Sequence, residues 1–231
     1  MGKNTWLYVE IPLMDYEEAR ALQLEIVQAR KNATIDRNVV LSLEHPSVFT
    51  LGRRGERSHL KVSESFLKAK GIPVVQVERG GDITYHGPGQ LVVYPILSLK
   101  KEGFGVNEYV TGLEEVMIRS AEDYGVKSER DPRNRGVWVG NNKLGSIGIA
   151  IRHGISFHGL AFNVNLSMEP FTWIHPCGLQ EIGMTSLEKE LSRKVPMEKV
   201  RNTLGTHMES VFRATLEMVS PEVLTDLLRS N

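Results

Sequence analysis

The spacing of apolar residues predicts a long amphipathic helix near the start of the chain. Between residues 16 and 31 the apolar positions follow the 3-4-3 spacing of one helical face, at Ala19, Leu22, Ile26 and Ala29. Asp15 precedes this segment and Glu18 follows three residues later, a pairing typical of a helix N-terminus. The pattern therefore predicts a helix from Tyr16 to Lys31.

Runs of β-branched and aromatic residues predict strands in the rest of the chain. These runs are residues 6–11, NVVLSLEHP, VVQVE, LVVYPILSL, GVWVGNNKLGSIGIAI and ISFHGLAFNVNL. Further helices are predicted from near Asn107 to Gly125, from Pro196 to about Met218, and from Ser220-Pro221 onward. Strands clustered between helical ends, without strict β-α alternation, indicate an α+β fold, and we expect one domain over residues 1–231.

Composition narrows the functional class. Lys plus Arg equals Asp plus Glu at 28 each, so net charge does not indicate nucleic acid or an anionic membrane as a partner. The single cysteine excludes an intramolecular disulfide framework and is typical of a reducing compartment. The N-terminus has no continuous apolar segment of the signal-peptide kind, and no apolar run approaches 18 residues. We therefore expect a soluble cytoplasmic protein.

The lone cysteine, Cys177, lies between Pro176 and Gly178. A free cysteine is commonly a small buried apolar side chain. Flanking Pro and Gly indicate a turn instead, where a thiol is accessible and reacts once a neighbour lowers its pKa. Both interpretations remain open at this point.

The densest glycine segment is ERGGDITYHGPGQLVVYP, residues 78–95. It lacks the spacing of dinucleotide and phosphate-binding loops. A glycine-rich hairpin is one interpretation, and a ligand-binding loop is the other. Arg79, Tyr85 and His86 supply polar groups that favour the binding loop.

The histidines leave two further possibilities. A zinc site of His86, His175 and Cys177 is one alternative, although none of the histidines has the spacing of a helical metal-binding pair. A hydrolase with Cys177 as nucleophile and His86 or His158 as base is also possible. Lys143 follows the turn GNN, where a lysine is ordinarily exposed to solvent.

Three segments together resemble the octanoyl-[acyl-carrier-protein]:protein N-octanoyltransferase family, also called lipoate-protein ligase B. They are RGGDITYHGPGQLVVYP, NNKLGSIGIAIRHGISFHGLAFNVN and IHPCGLQEIGMTSL, in the order found in the family. With FTLGRRGERSHL the resemblance covers roughly residues 40–190. It implies a mixed β-sheet flanked by helices, similar to the catalytic domain of biotin and lipoate protein ligases.

The resemblance also implies roles for individual residues. Cys177 would carry the acyl group as a thioester, and Lys143 would lower the pKa of its thiol and transfer protons. From the chemistry of acyl transfer, we expect the turn amides of Gly178 and Leu179 to donate to the oxyanion, since such donors must be fixed where charge develops. The acyl chain would contact residues in three segments: Arg79, Gly80, Gly81, Asp82, Ile83, Thr84, Tyr85 and His86; Ser146, Ile147 and Gly148; and Gly159, Leu160 and Ala161.

The implied reaction moves octanoyl from octanoyl-acyl carrier protein to the acceptor lysine of lipoyl domains. The expected acceptors are the E2 subunits of 2-oxoacid dehydrogenases and the H protein of glycine cleavage. Because the donor thioester is already activated, neither ATP, a cofactor nor a metal is expected. An ATP-dependent lipoate or biotin ligase, a Cys-His hydrolase and a non-catalytic acyl-binding module are the competing hypotheses.

One segment is locally basic in this neutral chain. LGRRGERSHLK places Arg53, Arg54, Arg57 and Lys61 close together. Such a patch would steer an acidic carrier protein towards the site. An ordinary solvated loop is the alternative.

Overall fold

A long mixed sheet lies at the centre of the computed structural model, which describes residues 4–132, 134–175 and 182–229. The strands among these residues are β1 (Asn4–Ile11), β2 (Val39–Leu43), β3 (Val48–Leu51), β4 (Val74–Gln76), β5 (Ile83–His86), β6 (Gln90–Ile96), β7 (Glu129–Asp131), β8 (Asn134–Val139), β9 (Asn142–Arg152), β10 (Ile155–Asn163), β11 (Gly183–Met184) and β12 (Ala214–Val219).

The α-helices of the described chain flank this sheet or connect its strands. They are α1 (Tyr16–Lys31), α2 (Glu64–Ala69), α3 (Leu99–Glu102), α4 (Val106–Glu122), α5 (Leu187–Leu191), α6 (Met197–Phe212) and α7 (Pro221–Arg229). Within the described ranges, no helix combines the length and apolarity needed to cross a bilayer.

The main sheet has the strand order β12-β1-β2-β6-β10-β9-β8-β7, and β11 pairs with the start of β9. β12, β1 and β2 run parallel to one another. β6 is antiparallel to both β2 and β10, and β10 is antiparallel to β9. A second sheet has the order β4-β3-β5. The expected α+β class with a mixed sheet flanked by helices is confirmed.

Apolar side chains cover both faces of the main sheet. One core packs α4 and α6 against one face, with Leu113 and Leu204 among its buried members. The other packs α1 and α7 against the opposite face, with Ile26 and Leu224. Strand β2 is buried at every position because helices lie on both sides, which explains its continuous apolar sequence.

The predicted first helix is confirmed at both ends. α1 spans Tyr16–Lys31, and the Asp15 carboxylate accepts hydrogen bonds from the backbone N–H groups of Glu17 and Glu18 at 2.8 and 3.4 Å. These bonds satisfy amides that have no partner inside the helix. Local sequence was sufficient here because the cap and the apolar stripe agree.

The predicted helix from Pro196 to about Met218 is too long. α6 ends at Phe212, Arg213 adopts a left-handed conformation with φ 53°, and Ala214–Val219 forms β12. β12 pairs in parallel with β1 from Asn4 to Val9. The partner strand comes from the opposite end of the chain, so the local pattern of apolar residues could not indicate this pairing.

The glycine-rich segment is not a simple hairpin. β5 pairs with β3 in the small sheet, whereas β6 pairs with β2 and β10 in the main sheet. The segment therefore crosses from one sheet to the other instead of folding back on itself. This crossing brings the two sheets together around a shared cavity.

Candidate active site

A cavity opens between the small sheet and the β9–β10 hairpin of the main sheet. Its walls come mainly from the loop before β5, from β5 itself, from β6, β9 and β10, and from the ends of α1 and β11. The lining residues are Tyr16, Arg79, Gly81, Asp82, Ile83, Thr84, His86, Val92, Tyr94, Asn134, Lys143, Ser146, Ile147, Gly148, His158, Gly159, Leu160, Ala161, Phe171, Ile182 and Met184.

All three segments expected to bind the acyl chain contribute to this central cavity. Lys143 lines it as well. Small residues face each other across the hairpin, because Ser146 pairs with Ala161 and Gly148 with Gly159. The expected binding residues that line the cavity are Arg79, Gly81, Asp82, Ile83, Thr84, His86, Ser146, Ile147, Gly148, Gly159, Leu160 and Ala161.

Two of the expected binding residues do not line this cavity. The backbone N–H of Gly80 donates to the carbonyl of Ile149 at 2.9 Å, which joins the loop to β9. The ring of Tyr85 packs against Phe49 and Phe171 in the core of the small sheet. Both residues therefore hold the loop in position from outside the cavity.

Arg79 secures the loop by bonding to a neighbouring strand. Its guanidinium donates to the carbonyl and hydroxyl oxygens of Thr50 at 2.7 and 2.8 Å, and to the Gly80 carbonyl at 3.0 Å. A Cβ at Gly148 would lie 2.9 Å from Cδ of Arg79. Gly148 therefore permits the close approach of this side chain to β9.

Lys143 is buried, with 4% of its surface exposed, contrary to the usual expectation for a lysine after a turn. Its Nζ lies 5.2 Å from the centre of the Trp138 ring, within the range of a cation–π contact. A Cβ at Gly136 would lie 2.6 Å from Cε of Lys143, so Gly136 leaves room for the lysine side chain. The pairing of β8 with β9 shifts register just beyond Lys143, and such bulges re-aim side chains at functional sites.

Cys177 and the proposed oxyanion donors, Gly178 and Leu179, lie outside the described residues. The chain before them is joined to the segment between β3 and α2, because the His175 N–H donates to the His59 carbonyl at 2.9 Å. After them, β11 lies beside β9, the strand that contains Lys143. Met184 pairs with Lys143, and the Thr185 N–H donates to the Lys143 carbonyl at 3.0 Å.

Three buried histidines lie at the cavity: His86 and His158 line it, and the ring of His45 packs against that of His86 with a centroid distance of 5.8 Å. Burial lowers the pKa of His45 and of His158 to about 4, and it lowers that of His86 well below 6.5. Nδ1 of His45 contacts the Met14 carbonyl at 2.7 Å and must donate, so its Nε2 accepts from the Tyr94 hydroxyl at 2.7 Å. These rings are therefore neutral near pH 7.

Sequence reasoning missed several residues of this site. Tyr16, Tyr94, Gly136 and Trp138 were assigned no site role, and Thr50 was not considered. Tyr94 lies in an apolar strand run, and Gly136 and Trp138 lie in a segment that only predicted a strand. The proximity of Trp138 to a buried lysine is the useful signal, and it exists only in three dimensions.

No metal site is evident in the described part of the chain, where no three His, Cys, Asp or Glu residues are grouped for an ion. The alternative zinc site included Cys177 and therefore lies partly outside that description. Of its members, His86 has its Nδ1 2.7 Å from Oε1 of Gln90 and its Nε2 3.4 Å from Oγ1 of Thr50.

The basic segment lies against the loop that lines the cavity. The backbone N–H groups of Arg53 and Arg54 donate to the carbonyls of Arg79 and Gly81 at 3.0 and 3.1 Å. The Arg57 side chain forms an ion pair with Glu64. Arg53 and Arg54 therefore lie next to the cavity wall, whereas part of the charge of the patch is neutralised.

Comparison with known proteins shows the family of this chain. Residues 15–209 match the lipoyl protein ligase A/B catalytic domain. The chain belongs to this family. Within it, the chain is 50% identical over 206 residues to an octanoyltransferase of Desulfotalea psychrophila, covering 88% of this chain and 92% of the relative. It is 44% identical to an octanoyltransferase of Syntrophobacter fumaroxidans, covering 93% and 94%.

Solved structures show the same fold at much lower sequence identity. Lipoate-protein ligase A bound with ATP superposes with a TM-score of 0.74 at 14% identity, covering 97% of this chain and 93% of the ligase. Biotin protein ligase from Aquifex aeolicus superposes with a TM-score of 0.50 at 11% identity, covering 92% and 70%. The chain therefore has the catalytic-domain fold of these ligases. In sequence, it matches octanoyltransferases at much higher identity than it matches the ligases.

Proposed function

We propose that this enzyme transfers an octanoyl group from octanoyl-acyl carrier protein, through a thioester on Cys177, to the acceptor lysine of a lipoyl domain. The acceptors are the E2 subunits of 2-oxoacid dehydrogenases and the H protein of glycine cleavage. Octanoyl transfer in lipoylation follows from the octanoyltransferase relatives. The thioester, the donor and these acceptors are the proposal.

The observation that carries the proposal is a buried lysine in the same cavity as twelve expected acyl-binding residues. An ammonium held away from solvent favours a thiolate nearby more strongly than an exposed one does. Cys177 precedes Ile182 by five residues in the sequence, and Ile182 lines that cavity. A short chain segment therefore connects the proposed nucleophile to the cavity wall.

The first half-reaction exchanges one thioester for another. Lys143 accepts the thiol proton, and the Cys177 thiolate attacks the carbonyl carbon of the carrier thioester. The bond from that carbon to the carrier sulfur breaks, and the departing sulfur takes the proton from Lys143. The products are octanoyl-Cys177, a free carrier thiol and a neutral Lys143, so protons and electrons balance.

The second half-reaction forms an amide. The neutral amine of the acceptor lysine attacks the octanoyl carbonyl, the C–S bond to Cys177 breaks, and Lys143 accepts a proton from the attacking nitrogen. The thiolate and ammonium are restored. Because an amide is more stable than a thioester, the donor bond supplies the driving force and no nucleotide is consumed.

The apolar and small residues of the cavity suit a saturated acyl chain. Burying each methylene of the chain contributes about 0.8 kcal/mol. Leu160, Ile83, Val92 and Phe171 offer apolar surface, and the paired small residues of β9 and β10 leave space between them. We expect the carbonyl end of the chain to lie towards Lys143.

The test is the intact mass of the protein after incubation with octanoyl-acyl carrier protein in the absence of ATP. An octanoyl adduct should form on the native chain, be absent from Cys177→Ser, and disappear on addition of a lipoyl domain that gains the same mass. Lys143→Met keeps the thiol and approximately the side-chain volume, so it serves as the matched control. It should form the same adduct more slowly.

The competing hypotheses give different results in this assay. A hydrolase would release octanoate without an acceptor, and an adenylating ligase would require ATP with free octanoate. A binding module would show no covalent mass. An adduct that persists in Cys177→Ser would refute the proposed nucleophile.

A further inference from the structure

His158 is the most unusual side chain in the central cavity. It lies inside strand β10 yet has φ of +56°, a left-handed conformation that is uncommon for residues other than glycine. Its side chain is 1% exposed, and neither ring nitrogen makes a hydrogen bond to any residue that the structure describes. A buried imidazole without partners is energetically unfavourable, and such features concentrate at functional sites.

The surroundings of His158 explain why its ring stays unpaired. Nε2 lies 3.6 Å from Oε2 of Glu78, which is too long for a hydrogen bond. The Glu78 carboxylate is instead held by Arg20 through two bonds of 2.9 and 2.6 Å. The backbone N–H of His158 donates to Oε1 of Gln23 at 2.7 Å, which joins this point of β10 to α1.

The ring is also fixed in place by its neighbours. It stacks on Phe157 with a centroid distance of 4.9 Å and meets Tyr94 edge-on at 6.2 Å. Tyr94 is held in turn by the bond from its hydroxyl to His45. A chain entering from the cavity therefore meets a ring that is packed against Phe157 and Tyr94.

His158 and Lys143 lie at opposite ends of the β9–β10 wall. His158 pairs with Ile149, which is six residues beyond Lys143 on β9, so the two positions are about 20 Å apart along the strand. Both side chains line the cavity and therefore shorten the open length between them. An extended octanoyl chain is on the order of 10 Å long, given C–C bonds of about 1.5 Å.

We propose that His158 closes the far end of the cavity and limits the acyl chain to the octanoyl length. The inference rests on the proposed acyl transfer. A longer chain would have to press methylene groups against the unpaired imidazole nitrogens and the adjacent Tyr94 ring. Extra methylene groups would overpack the site, because the imidazole is already packed against Phe157 and Tyr94.

The test compares acyl carriers of six to twelve carbons on the native enzyme and on His158→Gly, which suits the left-handed backbone. Removing the ring should raise the decanoyl-to-octanoyl ratio of acylation rates roughly tenfold, since a methylene or two in a tight pocket discriminates on this scale. His153→Gly is the matched control. His153 has φ of +54° in the turn of the same hairpin but is exposed, so its ratio should not change.

A second measurement does not depend on transfer. Titration calorimetry with free octanoate, decanoate and dodecanoate should show the same shift towards longer chains in His158→Gly. If that variant does not fold, His158→Asn replaces it, because asparagine tolerates the left-handed region and is smaller than histidine. Circular dichroism reports the fold of each variant.

The outcomes separate the two proposals. A folded variant whose length preference equals that of the native enzyme in both assays overturns the role of His158 and leaves the transfer proposal intact. If the native enzyme is acylated by none of the carriers, the proposed function fails. The fatty-acid series then still decides whether His158 limits the chain.

Discussion

Lowering the pH from 7.5 to 5.5 should destabilise this protein strongly, because three buried histidines must stay neutral in the folded state. Burial lowers the pKa of His45 and His158 to about 4 and that of His86 well below 6.5. In the unfolded chain each ring takes up a proton near pH 6.5. The unfolded state therefore binds more protons between pH 6.5 and 4, and stability falls as pH falls through that window.

The size of the effect follows from the same linkage. At pH 5.5 each histidine that is neutral when folded and charged when unfolded costs about 1.4 kcal/mol. Three such residues lower the free energy of unfolding by about 4 kcal/mol, a large share of a typical total. Glu78 does not contribute in this range. Its pKa is lowered to about 2 by the hydrogen bond from Arg20, so the stability it provides is lost only below about pH 4.5.

Urea unfolding followed by tryptophan fluorescence at pH 7.5, 6.5 and 5.5 measures this loss directly. His158→Asn should remove about one third of the pH dependence, because one of the three rings is gone. His153→Gln is the matched control on an exposed residue and should keep the full dependence. A free energy of unfolding that stays constant from pH 7.5 to 5.5 would show that the buried rings are not held neutral.

Three further predictions concern the lysine, its packing and the basic segment. Lys143→Met should slow acylation and raise the apparent pKa for iodoacetamide labelling of the single cysteine, because the proposed cation beside the thiolate is removed. Gly136→Ala should lower the free energy of unfolding by about 3 kcal/mol in urea titrations, because its Cβ would lie 2.3 Å from a backbone oxygen at φ +135°. Arg54→Glu should reduce the transfer rate at limiting carrier concentration and low salt, measured by mass spectrometry, but not transfer from a small octanoyl thioester.

Each of these predictions would be contradicted by a specific result. If the pH profile of iodoacetamide labelling is unchanged in Lys143→Met, the lysine has a purely structural role. Gly140 also has a positive φ, but a Cβ there would have no described atom within 4 Å, so Gly140→Ala should cost less than Gly136→Ala. Equal losses would show that the effect comes from backbone strain alone. Arg193→Glu reverses another exposed charge, and an equal rate loss there would contradict specific docking at Arg54.

The sequence by itself determined the features that local chemistry encodes. Helix α1 and its Asp15 cap were predicted correctly, because an apolar stripe and a capping carboxylate act within a few residues. The family was also readable from the sequence, since its motifs are short and occur in order. Twelve of the expected binding residues line one cavity, because those motifs include the strands and the loop that form its walls.

Only the tertiary structure decided the features that depend on distant pairing. β12 was mistaken for helix because its partner, β1, is about 200 residues away in the sequence. Lys143 follows a turn, and its burial against Trp138 depends on the bulged pairing of β8 with β9. The neutrality of His158 likewise comes from burial between β10 and α1, since pKa depends on surroundings that the linear sequence does not specify.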